Sequence, residues 1–246
     1  MKLLAIDSSG MVASVAVVDE EKVLGEYTIN NKKTHSQTLL PMIDEVVKML
    51  ELDLEEIDAI AISEGPGSFT GLRIGSATAK GIGLALNKKI VEVPTVEALA
   101  WNVWPTDSLI CPLMDARRQQ AYTGLFQRKN KADSKNANCD IEVIQKQCVV
   151  KIEEMIDQIN KIGQEVIFLG DGVKTFKDYI EQNIKVPFMF APVSMNEQRA
   201  ASVACLGMKL LKEGKTCSAS AHKPNYLRLS QAERERQQKV RDFKIC

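Results

Sequence analysis

The stretch LLAIDSSGMVASVAVVD at residues 3–19 returns in outline as LICPLMDARRQQAYTGLFQ at residues 109–127. Each is an apolar run with an aspartate near its end, a short turn, and a second run suited to a strand. The likeness is of pattern rather than identity, and it implies a duplicated unit. Around each copy the same order of elements can be read: three strands, a helix, a strand, a helix, a strand and a helix. That order argues for two α/β units, each a mixed sheet flanked by helices.

In the first unit LLAIDS, ASVAVVD and VLGEYTIN read as strands joined closely enough to be antiparallel neighbours. HSQTLLPMIDEVVKML carries a stripe of Leu39, Ile43, Val46 and Leu50 at helical spacing. Leu40, Met42, Val47 and Met49 widen that stripe beyond a single face. Pro41 fits without disturbance if the helix starts near Thr38. IDAIAIS is a buried strand, KIVEV another, and TVEALAWNV a helix that Thr95 can cap. In the second unit IEVIQKQCVV, EVIFLGDG and VPFMFAP read as strands. IEEMIDQINKI is a helix, and NEQRAASVACLGMKLLKEG a long helix closed by Gly214. KNKADSKNANCD reads as a long hairpin loop, and SQAERERQQKVRDFK as a polar surface helix. The boundaries follow: 1–104, 105–225 and a polar tail, 226–246.

One helix breaks a local rule. After Gly65-Pro66-Gly67 the apolar pattern demands a helix, yet Gly71, Gly75, Gly81 and Gly83 lie within it. Each interior glycine costs roughly 1 kcal/mol relative to alanine. Gly71, Gly75, Ala79 and Gly83 share one face and form a groove free of side chains, with Ile74, Thr78 and Ile82 beside it. Another backbone can approach such a groove closely, and the summed dispersion offsets the penalty. Only Arg73 and Lys80 are charged. A helix so apolar around its circumference has one side for its sheet and needs cover on the other. The preceding helix, 38–50, could supply it within one monomer. Alternatively both helices present a shared apolar face, with Leu40, Met42, Val47 and Met49, to another subunit.

Composition narrows the partners. Lys plus Arg and Asp plus Glu number 32 each, so the chain lacks the positive excess of a generic nucleic-acid coat. Any contact with RNA is then local or made through a partner. Six cysteines occur without a C-x-x-C pair, as expected of reduced thiols in a cytosolic protein. The N-terminal MKLLAIDSSG is too short an apolar run for a signal peptide or membrane span.

Several stretches point together to one family: LLAIDSS…ASVAVVD, HSQTLLPMID, ISEGPGSFTGLRIGSATAKG, MDARRQQAYTGLF and PNYLR, in that order. Over almost its whole length the chain resembles the bacterial TsaB (YeaZ-like) family. The resemblance implies the duplicated actin-like/sugar-kinase/Hsp70 (RNase H-like) fold. It also implies a role in making N6-threonylcarbamoyladenosine in tRNA, beside a paralogous TsaD-type subunit that performs the transfer and a small TsaE-type ATPase. In that family the TsaB-type and TsaD-type subunits join through these equivalent helices, and the same face suits a homodimer when the paralogue is absent.

The residues that would carry chemistry are thin. In the actin-like fold, two turns grip the phosphates of ATP. The first is Asp7-Ser8-Ser9-Gly10, which is serviceable. The second, Asp115-Ala116-Arg117-Arg118-Gln119, has no glycine, so side chains crowd the approach although two arginines attract an anion. LGDG at 169–172 and EGPG at 64–67 are not P-loops, because no G-K-[ST] follows. The TsaD-type subunit holds a metal with a histidine pair at i, i+4; here the matching positions are His35 and Leu39. The other histidine is His222, so no transition-metal site is expected, nor a metalloprotease H-E-x-x-H or a G-x-S-x-G elbow. The expectation is a non-catalytic partner of the TsaD-type paralogue with no tightly bound cofactor, ATP or ADP lying at the partner interface, and tRNA met through the complex. A stand-alone kinase or ATPase of the same fold, a protease and a homodimeric scaffold are the alternatives.

Overall fold

A computed structural model describes residues 1–31, 33–128 and 140–228. The expected hairpin loop over 129–139 and the tail over 229–246 lie outside these residues. The elements run β1 (Leu3–Asp7), β2 (Val12–Val18), β3 (Val23–Asn30), α1 (His35–Met49), β4 (Ala59–Gly65), α2 (Phe69–Ala85), β5 (Lys89–Pro94) and α3 (Thr95–Ala100). The second half repeats them as β6 (Leu109–Asp115), β7 (Gln120–Arg128), β8 (Ile141–Lys151), α4 (Ile152–Ile162), β9 (Val166–Leu169), α5 (Val173–Asn183), β10 (Phe188–Phe190), the single turn α6 (Val193–Asn196) and α7 (Ala200–Lys212).

The two sheets have one topology. The first is ordered β3-β2-β1-β4-β5 and the second β8-β7-β6-β9-β10. In each, the hairpin strands are antiparallel and the crossover strands parallel. This is the duplicated α/β architecture that the repeat demanded. It brings the β1–β2 turn and the β6–β7 turn, the two aspartate turns, to equivalent places in the two halves.

Helices on the outer faces follow their apolar stripes. Leu39, Ile43 and Val46 of α1, with Ala79 of α2, bury against Leu4, Ile6, Val15, Val17, Ile60 and Ile62. Met155, Ile156 and Ile159 of α4 and Phe176 and Ile180 of α5 do the same on the second sheet. The α5 helix fills a place that the repeat required but no stretch had been assigned. α1 begins at His35, earlier than the expected start near Thr38, so Pro41 lies inside it. Pro41 is exposed, and the N–H it lacks would have met the Gln37 carbonyl.

Packing crosses the sequence boundary near 104. Val96, Leu99 and Ala100 of α3 join Ile110, Met114, Phe126 and Leu169 of the second unit. Conversely α7, late in the chain, lies on the first sheet, its Ala200, Val203, Ala204 and Leu206 against Leu3, Ala5, Ala16, Val91 and Val93. The approach is close: a Cβ on Gly207 would be 2.8 Å from Ala61 Cβ. The segment beyond α7 also belongs with the first sheet, since Cys217 and Ile90 exchange two backbone hydrogen bonds of 2.9 Å. Among the described residues Cys111, Cys148, Cys205 and Cys217 are free thiols, and no helix is long and apolar enough to cross a membrane.

Candidate functional site: a cleft between two aspartate turns and an outward helix face

A cleft of about 390 Å³ opens where the two turns face each other. Ser9 and Gly10 line one side, and Asp115, Ala116, Arg117 and Arg118 the other. Pro66, Gly67 and Ser68, at the start of α2, and Tyr226, Leu227 and Arg228 complete the walls.

The first turn is closed on itself. Asp7 is 2% exposed and accepts hydrogen bonds from Ser9 N (2.8 Å), Ser9 Oγ (2.7 Å) and Ser63 Oγ (2.7 Å). Burial raises its pKa above the usual carboxylate range, and the Ser9 and Ser63 donors act against that rise. Ser8, also buried, donates from Oγ to the Gly71 carbonyl at 2.9 Å. Gly10 lies under Gln198: a Cβ there would be 2.9 Å from the Gln198 amide. His35, whose i+4 position is Leu39 rather than a second histidine, bonds through Nε2 to the Gly10 carbonyl at 2.9 Å.

The second turn is built without glycine, as its sequence requires, and its backbone is strained. Arg117, Arg118 and Gln119 take φ values of 65°, 55° and 59°, the left-handed region that side chains disfavour. Asp115 holds the turn by accepting from Arg117 N at 2.7 Å, with the Arg117 guanidinium 3.6 Å from its second oxygen. Across the cleft wall, burial and the neighbouring Glu197 and Asp115 carboxylates push Asp171 up to about 6.

The segment Tyr226–Arg228, conspicuous in sequence but without a role there, ties the cleft together. Tyr226 packs on Phe69 with ring centroids 4.9 Å apart, and Arg73 lies 3.9 Å over the same Phe69 ring. Arg73 Nε donates to the Tyr226 hydroxyl at 3.3 Å, and Arg228 donates to the Ala116 carbonyl of the second turn. One strap therefore bonds both halves.

The glycine face of α2 points inward, which corrects the expected groove. A Cβ on Gly71 would lie 2.0 Å from the Ser8 carbonyl oxygen, and one on Gly75 2.2 Å from Ser8 Oγ. A Cβ on Gly83 would meet Ala219 Cβ at 2.9 Å. Ala79 is fully buried, and Met42 of α1, at 2% exposure, is a core residue. These five positions, offered as partner surface by their spacing, are covered by the chain's own β1–β2 turn, core and strap. Of the two coverings foreseen for the groove, α1 supplies a part, with the His35 ring 3.3 Å from a Cβ on Gly71, and the β1–β2 turn and Ala219 supply the rest.

Outward surface remains open on both helices. Of the expected interface residues, Leu40 is 56% and Met49 78% exposed, Gly81 is exposed with nothing within 4 Å of a Cβ, and Val47, Ile74, Thr78 and Ile82 are half-buried. Thr70, Ala77, Leu84 and Ala85 extend the outward side of α2. Neither charge of α2 lies mid-face: Arg73 turns to Tyr226, and Lys80 donates to the Ser220 and His222 carbonyls.

Comparison with known proteins fits this architecture. The chain is 31% identical over 233 residues to the "tRNA threonylcarbamoyladenosine biosynthesis protein TsaB" of Bacillus subtilis, covering 95% of this chain and 96% of that protein. The chain belongs to the TsaB family. The Escherichia coli TsaB protein is 26% identical, with 93% of this chain and 95% of that one aligned. The family model described as "TsaD: tRNA N6-adenosine threonylcarbamoyltransferase" also matches residues 22–236. The solved structure of YeaZ from Pseudomonas aeruginosa shares the fold, with a TM-score of 0.73, 23% identity, and coverage of 92% of this chain and 99% of that one.

Proposed function

We propose that this chain acts in the biosynthesis of threonylcarbamoyladenosine in tRNA as a non-catalytic subunit that binds and stabilises a TsaD-type catalytic paralogue. Family membership supplies the pathway. The observation that supports a non-catalytic role is the closed first turn: the oxygens of Asp7 accept from Ser9 and Ser63 of the same chain rather than facing the cleft. The second turn adds strained, glycine-free backbone where a phosphate would need to approach.

In this reading the outward face of α2, with its neighbour α1, receives the paralogue. An uncharged face with exposed Leu84, Gly81 and Ala77 suits contact with another protein better than with water. The paralogue shares the fold, so the same face serves a homodimer when this chain is alone. ATP or ADP, with a TsaE-type ATPase, belongs to the assembled complex, and tRNA is met there.

Reconstitution tests the proposal. A mixture of the other pathway proteins, tRNA and substrates should form modified adenosine only when this chain is added. The chain alone should turn over no ATP. Full modification without the chain overturns the reading, and steady ATP turnover by the chain alone favours an independent kinase.

A further inference from the structure

His222 reads as an isolated histidine in the sequence, but the fold gives it company. One ligating atom from each of Glu92, Cys217 and His222 lies within 4.8 Å of the other two. Glu92 stands on β5. Cys217 is fixed beside that strand by its two backbone bonds to Ile90. A turn over 218–222, closed by Ala221 N and His222 N donating to the Ser218 carbonyl, brings His222 back beside Cys217. These are placements set by backbone hydrogen bonds, not by flexible surface side chains.

The donor set is chemically specific. A thiol, an imidazole and a carboxylate together match the ligands of zinc-like divalent cations and not those of magnesium or calcium, which take oxygen alone. His222 is 1% exposed, its Nδ1 is 2.7 Å from Glu92 Oε1, and its Nε2 has no hydrogen-bond partner among the described residues. A second carboxylate, Glu64, adds negative potential at the Cys217 thiol, and Lys80 acts against it.

We propose that Glu92, Cys217 and His222 bind one zinc-like divalent cation, through the thiolate, His222 Nδ1 and a carboxylate oxygen, with water as fourth ligand. Binding releases the Cys217 thiol proton. The imidazole proton passes from Nδ1 to Nε2, where no existing bond is broken. Tetrahedral ligands with bonds of about 2.1 Å stand roughly 3.4 Å apart, so Glu92 withdraws by less than an ångström from its present hydrogen bond. Glu92 is half-exposed and has room to do so. The cation would staple the strap that begins at Cys217 to β5. That strap continues through Ala219, which packs on Gly83, to Tyr226 and Arg228 at the cleft.

Cobalt(II) provides the test, because thiolate ligation gives an intense charge-transfer absorption. The full chain should take up one equivalent of cobalt with that band, and zinc should displace it. Cys217→Ser should abolish the band and weaken zinc binding by more than about 100-fold, beyond the loss caused by removing a merely supporting group. Glu92→Gln, at a half-exposed position, should weaken zinc binding without removing the band, and serves if the cysteine variant does not fold. Cys205→Ser, on α7, should bind as the parent does. Absence of the band in the parent chain, its survival in Cys217→Ser, or unchanged zinc affinity in Glu92→Gln overturns the site.

Discussion

Gly71 and Ser8 are held back to back: Ser8 Oγ donates to the Gly71 carbonyl at 2.9 Å, and a Cβ on Gly71 would sit 2.0 Å from the Ser8 carbonyl oxygen. That pairing explains why a helix with poor intrinsic propensity is kept. The N-terminal half of α2 must touch the β1–β2 turn backbone to backbone, and only glycine leaves the space.

Three of the four glycines of α2 therefore separate by experiment. Gly71→Ala and Gly75→Ala should each destabilise the chain by about 1–3 kcal/mol or more, because the added carbon meets Ser8 and little can give way. Gly81→Ala should instead stabilise it by up to about 1 kcal/mol, since nothing lies within 4 Å and only helix propensity changes. Urea unfolding of the three variants measures both signs. If all three behave alike, the inward face has been misassigned.

How much of this was legible in the sequence depends on what each residue answers to. The duplicated unit, the strand order within each hairpin, the stripe of α1 and the helix over IEEMIDQINKI are local patterns, and they stand. The inward turn of Gly71, Gly75 and Gly83 was not legible, because periodicity identifies a shared face but not what covers it. Here the cover is a turn 63 residues earlier and a strap more than a hundred residues later. α7 misled for the same reason: its position after the second repeat placed it with the second sheet, but its small residues, Ala200, Ala204 and Gly207, fit closely on the first. The Glu92–Cys217–His222 cluster joins residues 130 apart and had no sequence spacing to betray it. Tyr226 and Arg228 did announce themselves, as part of PNYLR, but their contacts to Arg73 and Ala116 needed the fold.

Ser63 should matter through Asp7 alone. Ser63→Ala removes one donor to a buried carboxylate and should destabilise the chain by about 1–3 kcal/mol. Losing a donor to the charged form raises the folded-state pKa of Asp7 further. The deficit should therefore be smallest in acid, where Asp7 is protonated in both states, and grow as pH rises. Equal destabilisation across that range would contradict the assigned hydrogen bond.

Asp171 predicts the opposite behaviour on mutation. Burial and the Glu197 and Asp115 carboxylates disfavour its charge and push its pKa up to about 6 in the folded chain, from an ordinary 3.8. A raised acid binds protons more tightly when folded, so the parent chain loses stability as pH climbs from about 4 to about 6 and stays lower above it. Asp171→Asn removes that loss. It should be more stable than the parent by about 3 kcal/mol near neutrality and indistinguishable near pH 4. Thermal unfolding at both pH values decides it.

The partner face makes the last prediction. Leu84 is 62% exposed, so Leu84→Glu should change the stability of the isolated chain by no more than about 0.5 kcal/mol. Placed mid-interface, the same carboxylate would be desolvated without a counter-charge and should weaken binding to a TsaD-type subunit by at least about 10-fold. The two exposed apolar residues of α1 sharpen the test. At about 100° per residue, Met49 is turned about 180° from Leu40, while Val47 is only about 20° away from it. A single docked partner cannot bury both flanks of one surface helix. Leu40→Glu and Met49→Glu should therefore differ, one weakening association and the other leaving it near the parent value. Titration calorimetry or analytical ultracentrifugation of each variant with the purified paralogue reads the difference. Equal tolerance of Leu84→Glu, Leu40→Glu and Met49→Glu would move the partner away from α1 and α2 altogether.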